Sequence, residues 1–331
     1  MRGAAPTRIG TRAEISEKDT SARPGMPSSR PLAGAVEPAR VRGGGWVDSS
    51  CERSGGTRAE DRRTRADLGN RPDRRYGFAI ADEGEQMDRN IRTVEDVLKL
   101  MDGLFAPDAD RWTPAGGSDW WDRFYADRSK PVPFFAAKPD ESLASYLDRG
   151  LIAPGRALDL GCGPGRNALH LAARGFQVDA VDLSPSAIAW AEERARGAAG
   201  DLRFHCGDAF DLAATGLTGP YDLVYDSGCF HHLPPHRRVS YLDLLDRLLA
   251  PGGHLALTCF AAGAMGSELP DAAFYRDSRL HGGLAYSADS LRWIFSDLTE
   301  CELRPMRDEP AESPYFGEGF LWAALFRRGA N

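Results

Sequence analysis

A glycine-rich turn between an apolar segment and an alanine-rich segment is the feature that most constrains the fold of this chain. It lies in RALDLGCGPGRNALHLAARGF, residues 156–176, where Gly161, Gly163 and Gly165 occupy alternate positions. Glycine is favoured where the backbone turns through the left-handed region, or where a ligand approaches the main chain closely. A helix that follows such a turn opens its N-terminus onto the ligand. The segment therefore predicts a strand, a ligand-binding loop and a helix.

Short apolar runs alternate with helical patterns from this turn to the end of the chain. Strands are predicted at 156–160, 177–181, 202–205, 221–225 and 254–260, and within the two final runs, TECELRPM and GFLWAALFRR. Helices are predicted at 166–174, 185–196, 236–249 and 288–297. In the second of these helices, Ser184 is the expected N-cap and Pro185 the first residue. Since this alternation requires a parallel sheet covered on both faces, and the last two runs form a hairpin, we predict an α/β fold whose last strand is antiparallel.

Helices are also predicted before the first strand. In TVEDVLKLMDGLF, Thr93 and Asp96 fit a capping box. The pattern places six apolar side chains on one helical face, those of Val94, Val97, Leu98, Met101, Leu104 and Phe105. SDWWDRFYADR and PDESLASYLDRG predict two more helices, the second ending at Gly150. KPVPFF is expected to be extended, because each proline biases the preceding residue away from the helical region.

Residues 1–86 differ in composition from the rest of the chain. They are rich in Arg, Gly, Ala, Pro and Ser and show no sustained period, which predicts a disordered extension. Residues 1–75 contain 16 basic and 10 acidic side chains, so a basic arm that binds nucleic acid is an alternative. Translation that begins near Met87 is another alternative. We therefore divide the chain into this extension, a helical lid segment at 87–155 and an α/β domain at 156–331.

Charge and cysteine usage limit the classes of partner that the protein is expected to bind and the cellular compartment in which it is expected. Residues 76–331 contain 25 basic and 38 acidic side chains, a balance that disfavours a polyanionic partner. The six cysteines are widely spaced without a C-x-x-C pair, which fits reduced cytosolic thiols better than a disulfide framework or a zinc site. No early apolar segment suggests a secretory signal, and no run reaches the roughly 18 apolar residues of a membrane span. We expect a cytoplasmic protein with no nucleic-acid or membrane partner.

Four acidic residues fall at the ends of successive predicted strands. Asp159 closes the first strand, Asp182 the second and Asp226 the fourth, and Asp208 follows the third. In an open parallel sheet the ligand binds beyond the carboxyl ends of the strands, so these side chains are expected to share one site. An acid at the end of the second strand is placed to accept hydrogen bonds from ribose hydroxyls. Asp208 is placed to accept from an adenine amine, with Phe210 as an apolar wall.

The motifs together resemble those of class I S-adenosylmethionine-dependent methyltransferases. The segments that carry the resemblance are LDLGCGPGRNALHLA, VDAVDLS, GDAF, YDLVYDSGCFHHL and LLAPGGHLALTCF. The first and fourth are most similar to small-molecule enzymes of the tellurite-resistance and thiopurine-methyltransferase kind. The resemblance covers about residues 120 to 328 and implies a Rossmann-like seven-stranded sheet in the order 3-2-1-4-5-7-6, with helices on both faces. It implies S-adenosylmethionine as cofactor, bound by Asp159, Gly161, Gly163, Gly165, Asp182, Asp208, Ala209 and Phe210.

Two other functions also fit part of the sequence pattern. Gly163, Gly165 and Ala168 also satisfy a dinucleotide fingerprint, with Asp182 near the expected distance, which would fit a nicotinamide-dependent dehydrogenase. That pattern does not require Asp159 or the Asp208 signal, and a single match of this kind is weak evidence. A non-catalytic protein that binds S-adenosylmethionine as a sensor or partner subunit is the second alternative.

The segments around the expected methyl position indicate a small-molecule acceptor. Nucleic-acid amino-methyltransferases typically have Asp or Asn, then Pro-Pro and an aromatic residue, after the fourth strand, whereas this chain has Asp226-Ser-Gly-Cys229. By the resemblance, the segment before the sheet folds over the cofactor as a lid, and aromatic residues there would exclude water. The expected lid and acceptor wall comprise Trp120, Trp121, Phe124, Tyr125, Phe134, Phe135 and Cys229, with residues 261–284 as a second wall.

Histidines after the fourth strand are the candidate proton acceptors. We predict that His231 or His232 faces the transferred methyl group together with Asp226, and we favour His231 as general base. His236 is expected to be a solvated residue at a helix start. The spacing of these histidines and Cys229 matches no common zinc pattern, so no metal is expected. The acceptor atom (sulfur, nitrogen, oxygen or an inorganic anion such as tellurite) and the oligomeric state stay open.

Overall fold

A computed structural model describes residues 89–105 and 117–330. The interpretation of residues 1–86 as a disordered extension lies outside the described residues. Within them, no helix combines the length and the apolar character needed to cross a lipid bilayer.

One mixed sheet of seven strands organises this part of the chain. Its order is β3-β2-β1-β4-β5-β7-β6, which confirms the order expected from the resemblance. The strands are β1 (Arg156–Leu160), β2 (Gln177–Asp182), β3 (Asp201–Cys206), β4 (Tyr221–Ser227), β5 (Leu249–Phe260), β6 (Thr299–Pro305) and β7 (Leu321–Arg327). The first five strands are parallel, and β7 is antiparallel to both β5 and β6. The central strands β1 and β4 are almost wholly buried, because helices cover both faces of the sheet.

The described helices flank the sheet or precede it. They are α1 (Val94–Asp102), α2 (Gly117–Ala126), α3 (Glu141–Asp148), α4 (Arg166–Ala173), α5 (Pro185–Ala195), α6 (Ala209–Thr215), α7 (Arg238–Leu248), α8 (Asp271–Asp277) and α9 (Ala288–Ile294). The predicted N-cap of α5 is confirmed, since the Ser184 side chain accepts from the Ala187 amide. The short helices α6 and α8 were not predicted.

Two expectations about the segment before the sheet are corrected. KPVPFF is not extended throughout, because Pro133–Phe135 form a 3-10 turn that begins with proline, whose fixed φ suits a first helical position. The capping box of Thr93 and Asp96 is confirmed. The apolar face of α1 is largely exposed, however, since only Leu98 and Phe105 of its six members are buried.

The prediction that His236 is solvated is wrong. His236 is buried, and its Nε2 lies 2.6 Å from Asp102 Oδ1 at the end of α1. Its Nδ1 lies 3.0 Å from the Tyr275 hydroxyl, and Arg237 donates to the same Asp102 carboxylate. A buried charge is stable only when it is paired, so this cluster fixes α1 to the start of α7. The partner Asp102 is 134 residues away in sequence, which local pattern cannot reveal.

Candidate active site

The glycine loop between β1 and α4 is built as the sequence predicts. Gly161, Gly163 and Gly165 have φ of 65°, 52° and 76°, in the left-handed region that residues with a Cβ rarely adopt. A Cβ at Gly161 would lie 2.9 Å from Cys229 Cβ, and one at Gly163 would lie 2.9 Å from the Tyr125 hydroxyl oxygen. The loop therefore needs glycine both for its dihedral angles and for the close approach of two other segments.

Asp159 lies under this loop with an unused hydrogen-bonding position. Its side chain is buried, and among the described residues its Oδ2 has no hydrogen-bond partner. Burial raises its pKa well above the usual range, and the carboxylates of Asp140 and Asp226 raise it further, against the opposing effect of Arg166. A buried acceptor without a donor indicates that a ligand group with an N–H or O–H belongs here.

Asp182 closes β2 on the other side of the loop. Its Oδ2 accepts from the Gly163 amide at 2.8 Å and its Oδ1 from the Ser184 amide at 2.9 Å. Burial raises its pKa to about 6, although these amide hydrogen bonds lower it. Each carboxylate oxygen can accept a second hydrogen bond, so Asp182 keeps the capacity to bind two hydroxyl groups.

Asp208 follows β3 at the same edge of the sheet. It is the N-cap of α6 and accepts from the Phe210 amide at 2.8 Å. Burial raises its pKa. Ala209 and Phe210 are partly buried and pack against the larger core cluster. This arrangement gives an apolar surface beside an acceptor, as a purine requires.

A buried network behind the loop was missed by the sequence analysis. Asp140 is fully buried and accepts from Arg166, from Asn167 Nδ2 at 3.2 Å, from the Tyr225 hydroxyl and from Ser227 Oγ at 2.6 Å. Arg166 donates to Ser227 Oγ as well, at 2.9 Å. The network fixes the segment before α3 to the start of α4 and to the end of β4. The only signal in the sequence was an aspartate after a proline, which indicates a helix cap and nothing more.

Asp226 has contacts that differ from those of a proton acceptor. It is fully buried, and its carboxylate accepts from the amides of Cys229 at 2.8 Å and Phe230 at 3.1 Å and from the Tyr241 hydroxyl at 3.1 Å. Burial raises its pKa to about 7, against the lowering effect of these hydrogen bonds. Through these hydrogen bonds the Asp226 side chain stabilises the conformation of the loop after β4. Its catalytic role stays a prediction.

His231 and His232 form a pair in the 3-10 turn at Phe230–His232. Their Nε2 atoms lie 3.1 Å apart, so one ring nitrogen donates to the other. His231 is buried and stacks on Phe260 with ring centroids 3.7 Å apart. His232 is partly exposed, and its ring centroid lies 5.1 Å from that of Trp121. Both histidines were predicted, but only the tertiary structure distinguishes their surroundings.

Helix α2 covers the glycine loop with aromatic side chains. Asp122 fixes it in place by accepting from the Ser186 amide at 2.7 Å and the Ser184 hydroxyl at 3.1 Å. Trp121 stacks on Tyr125 at 5.9 Å, so the two rings extend from Gly163 to His232. The other predicted lid residues, Trp120, Phe124, Phe134 and Phe135, contact one another or these two rings.

Two later segments complete the wall beside the histidine pair. Residues 261–284 return to it, where Leu284 donates its amide to the His231 carbonyl at 2.8 Å. A Cβ at Gly283 would lie 3.2 Å from His232 Nδ1 and 2.9 Å from Phe260. From the loop between β6 and β7, Phe320 contacts Phe260, with ring centroids 6.4 Å apart. Cys229 lies between this wall and Gly161, and burial raises the pKa of its thiol.

The residues present fit S-adenosylmethionine. Its sulfonium and ammonium groups are cations, and the carboxyl groups of Asp159 and Asp182 lie buried at this edge of the sheet. The free Oδ2 of Asp159 needs a donor, and Asp182 can accept from ribose hydroxyls. When bound, the cofactor supplies an activated methyl group. Within residues 89–105 and 117–330, no cluster of three or more His, Cys, Asp or Glu side chains could hold a metal ion.

Comparison with known proteins agrees with this geometry. The family described as "Methyltransferase domain" matches residues 157–253. The chain is 30% identical over 141 residues to a 2-heptyl-1-hydroxyquinolin-4(1H)-one methyltransferase of Mycobacteroides abscessus, covering 41% of this chain and 60% of the relative. It is 28% identical over 184 residues to a ubiquinone biosynthesis O-methyltransferase of Xanthomonas oryzae pv. oryzae, and this match covers 53% of this chain and 73% of the relative.

A solved structure agrees over a longer part of the chain. This structure is described as "Conversion of a Disulfide Bond into a Thioacetal Group during Echinomycin Biosynthesis". Its chain is 28% identical in sequence to this one, and the two folds match with a TM-score of 0.51. The match covers 65% of this chain and 94% of that one. The chain spans only 33% to 60% of the length of three curated relatives it matches. Residues 157–253 thus match a methyltransferase domain, and the sheet order and these similarities agree with the resemblance of the chain to class I S-adenosylmethionine-dependent methyltransferases.

Proposed function

We propose that this protein transfers a methyl group from S-adenosylmethionine to a small-molecule nucleophile by in-line displacement. The observation that carries the proposal is one continuous wall. The Trp121 and Tyr125 rings lead from Gly163 in the cofactor loop to His232 in the acceptor loop. Cofactor and acceptor are thereby held against each other in a space that excludes water.

The chain's own residues supply alignment more than covalent chemistry. The sulfonium methyl is already activated, so the protein has to hold the two reacting atoms in line and keep water out. In this proposal Asp159 holds the methionine part of the cofactor, Asp182 holds the ribose, and Asp208 with Phe210 frames the adenine. The Asp140 network keeps α4 and the end of β4 in register, which fixes the distance between the loop and the histidine pair.

A small-molecule acceptor is favoured over a macromolecule. The histidine pair contacts the rings of Trp121 and Phe260 and lies beside Gly283, so other parts of the chain surround it. Two curated relatives carry names that describe methyl transfer to a hydroxyquinolone and in ubiquinone biosynthesis, and both names describe small molecules. We extend the proposal to a cytoplasmic location, which the free cysteines Cys162, Cys206, Cys229, Cys259 and Cys301 support. The division at residues 87 and 156 also remains a proposal.

Calorimetry followed by product analysis tests the function. The full chain should bind S-adenosylmethionine and S-adenosylhomocysteine with micromolar-scale affinity and should not bind NAD. Incubation with the cofactor and a metabolite extract should then give a methylated small molecule detectable by mass spectrometry. Tight NAD binding would indicate the dehydrogenase instead. Cofactor binding without transfer to any member of the extract would indicate a sensor.

A further inference from the structure

Two consecutive residues, Leu183 and Ser184, join the carboxylate of Asp182 to helix α2. We propose that Asp122 in α2 couples occupation of Asp182 by the cofactor ribose to closure of this helix, and thereby sets the rate at which the cofactor leaves. Asp122 is a positioning residue in this proposal, since it acts through Ser184. The inference rests on the proposed methyl transfer, and it adds a residue that the sequence analysis did not assign to the site.

Leu183 and Ser184 each have one group on Asp182. The Ser184 amide donates to Asp182 Oδ1 at 2.9 Å. Burial raises the pKa of Asp182, and hydrogen bonds from the amides of Ser184, Gly163 and Leu183 oppose this effect. Asp182 and Ser184 are both buried, so the position of the carboxylate and the path of the backbone that follows it are fixed together.

The same two residues have a second group on α2. The Leu183 carbonyl accepts from Ser118 Oγ at 3.1 Å, and the Ser184 hydroxyl donates to Asp122 Oδ1 at 3.1 Å. A serine hydroxyl has one proton to donate, and here that proton goes to Asp122, while the hydroxyl oxygen accepts from the Ala187 amide at 3.0 Å. Helix α2 is therefore hydrogen bonded to the turn that directly follows Asp182.

Asp122 makes the strongest of these contacts. Its Oδ1 also accepts from the Ser186 amide at 2.7 Å, in the first turn of α5, where the helix dipole favours an anion. The hydrogen bond from the Ser186 amide holds the pKa of Asp122 below its usual range, so the carboxylate is ionised at neutral pH. Hydrogen bonds to an ionised acceptor are stronger than neutral ones. Arg128, just beyond α2, pairs with Glu193 in an exposed ion pair, and such pairs contribute little.

Helix α2 also reaches the other side of Asp182. The Gly163 amide donates to Asp182 Oδ2 at 2.8 Å. Tyr125 lies three residues after Asp122 and is buried, and its hydroxyl oxygen is 2.9 Å from where a Cβ at Gly163 would lie. One helix thus lies against both backbone segments that hold this carboxylate. A ribose bound at Asp182 would lie beneath α2, and α2 would have to move before the cofactor leaves.

The chain of hydrogen bonds acts in both directions. Ribose hydroxyls that donate to Asp182 would fix its oxygens, and with them the positions of Leu183 and Ser184 that suit α2. Successive hydrogen bonds in a protein interior strengthen one another. Coupling between two binding events is reciprocal, so a closed α2 retains the cofactor as much as the cofactor holds α2 closed. Entry is affected less, because the cofactor enters while α2 is open.

Stopped-flow kinetics of the full chain with S-adenosylhomocysteine test the proposal. The signal is tryptophan emission, since Trp120 and Trp121 belong to α2. Asp122→Asn keeps the size of the side chain and removes its charge. It should raise the dissociation rate constant by about 10-fold, the order expected for losing a hydrogen bond to a charged group, and should change the association rate constant far less. Asp119→Asn is the matched control, because Asp119 is an exposed carboxylate on the same helix, and it should leave both constants unchanged.

Amide hydrogen exchange separates coupling from a merely structural role. S-adenosylhomocysteine should slow exchange in Gly117–Ala126 of the native protein and of Asp119→Asn, but far less in Asp122→Asn. Ser118→Ala removes only the contact with the Leu183 carbonyl, and it keeps the test open if circular dichroism shows that Asp122→Asn does not fold. It should raise the dissociation rate constant by roughly two- to tenfold, the range for a neutral hydrogen bond.

The outcomes that contradict the coupling differ from those that contradict the function. An unchanged dissociation rate constant in folded Asp122→Asn would overturn the inference, as would equal protection of α2 by the ligand in the native protein and in this variant. A loss of affinity that lies wholly in the association rate constant would also overturn it. These results would leave the proposed methyl transfer intact. If the native chain binds neither S-adenosylmethionine nor S-adenosylhomocysteine, the proposed function itself fails.

Discussion

Replacing Asp140 with asparagine tests whether the buried network behind the glycine loop stabilises the fold. Asp140→Asn keeps the size of the side chain but removes the charge that pairs with Arg166. The Asp140 side chain is 0% exposed and that of Arg166 is 6% exposed, so the guanidinium would be left buried without its carboxylate. The replacing amide would also present N–H groups to the Tyr225 and Ser227 hydroxyls, which donate to Asp140 in the native protein.

The expected loss follows from this burial. Breaking a buried ion pair by removing one partner costs about 3–5 kcal/mol, because the other charge is left uncompensated. The chain contains a matched control, since Asp148 pairs with Arg174 just beyond the other end of α4. These two side chains are 53% and 37% exposed, and exposed pairs of this kind contribute less than about 1 kcal/mol.

The measurement is urea unfolding of the full chain, followed by circular dichroism, for the native protein, Asp140→Asn and Asp148→Asn. Asp140→Asn should lower the free energy of unfolding by several times more than Asp148→Asn. Asp140→Asn should also weaken S-adenosylmethionine binding, because Arg166 is the first residue of the helix that follows the glycine loop. Equal and small losses for the two variants would refute the reasoning that burial makes this pair important.

Three further outcomes are expected at the cofactor loop. Asp182→Ala should weaken S-adenosylmethionine binding by about 1.5–3 kcal/mol, measured by calorimetry, the range for hydrogen bonds to a charged acceptor. Affinity should fall as the pH is lowered through about 6, because Asp182 becomes protonated there, and Asp182→Asn should remove this dependence. Gly163→Ala should lower the melting temperature and the cofactor affinity more than Gly150→Ala. Both positions have positive φ, but only at Gly163 would the new Cβ meet another side chain, that of Tyr125.

Local pattern was sufficient where the physical cause is local. Short apolar runs and helical stripes located all seven strands and every described helix except α6 and α8, because burial of a strand or of one helical face sets the apolar pattern over several consecutive residues. The capping box of Thr93 and Asp96 was readable because both residues belong to a single turn. The acids Asp159, Asp182 and Asp226 were found because the end of a parallel strand is itself a local feature.

Contacts between distant segments were decided only by the tertiary structure. Asp140 and Arg166 are 26 residues apart, and Asp102 and His236 are 134 apart, so neither partner can be inferred from the pattern around the other. The same holds for the histidine pair. The sequence placed both residues in the right loop and favoured His231, whereas Phe260 buries His231 and leaves His232 beside the lid.

The order of the strands and the cofactor were expected from the resemblance, whereas the sequence by itself located the strands, the glycine loop and the acids at the strand ends. Each of these follows from backbone dihedral angles and apolar period within a few consecutive residues. Only the tertiary structure decided what surrounds each side chain. Burial, pairing of charges and the pKa of a carboxylate depend on atoms contributed by segments far apart in the chain, and packing brings those segments together.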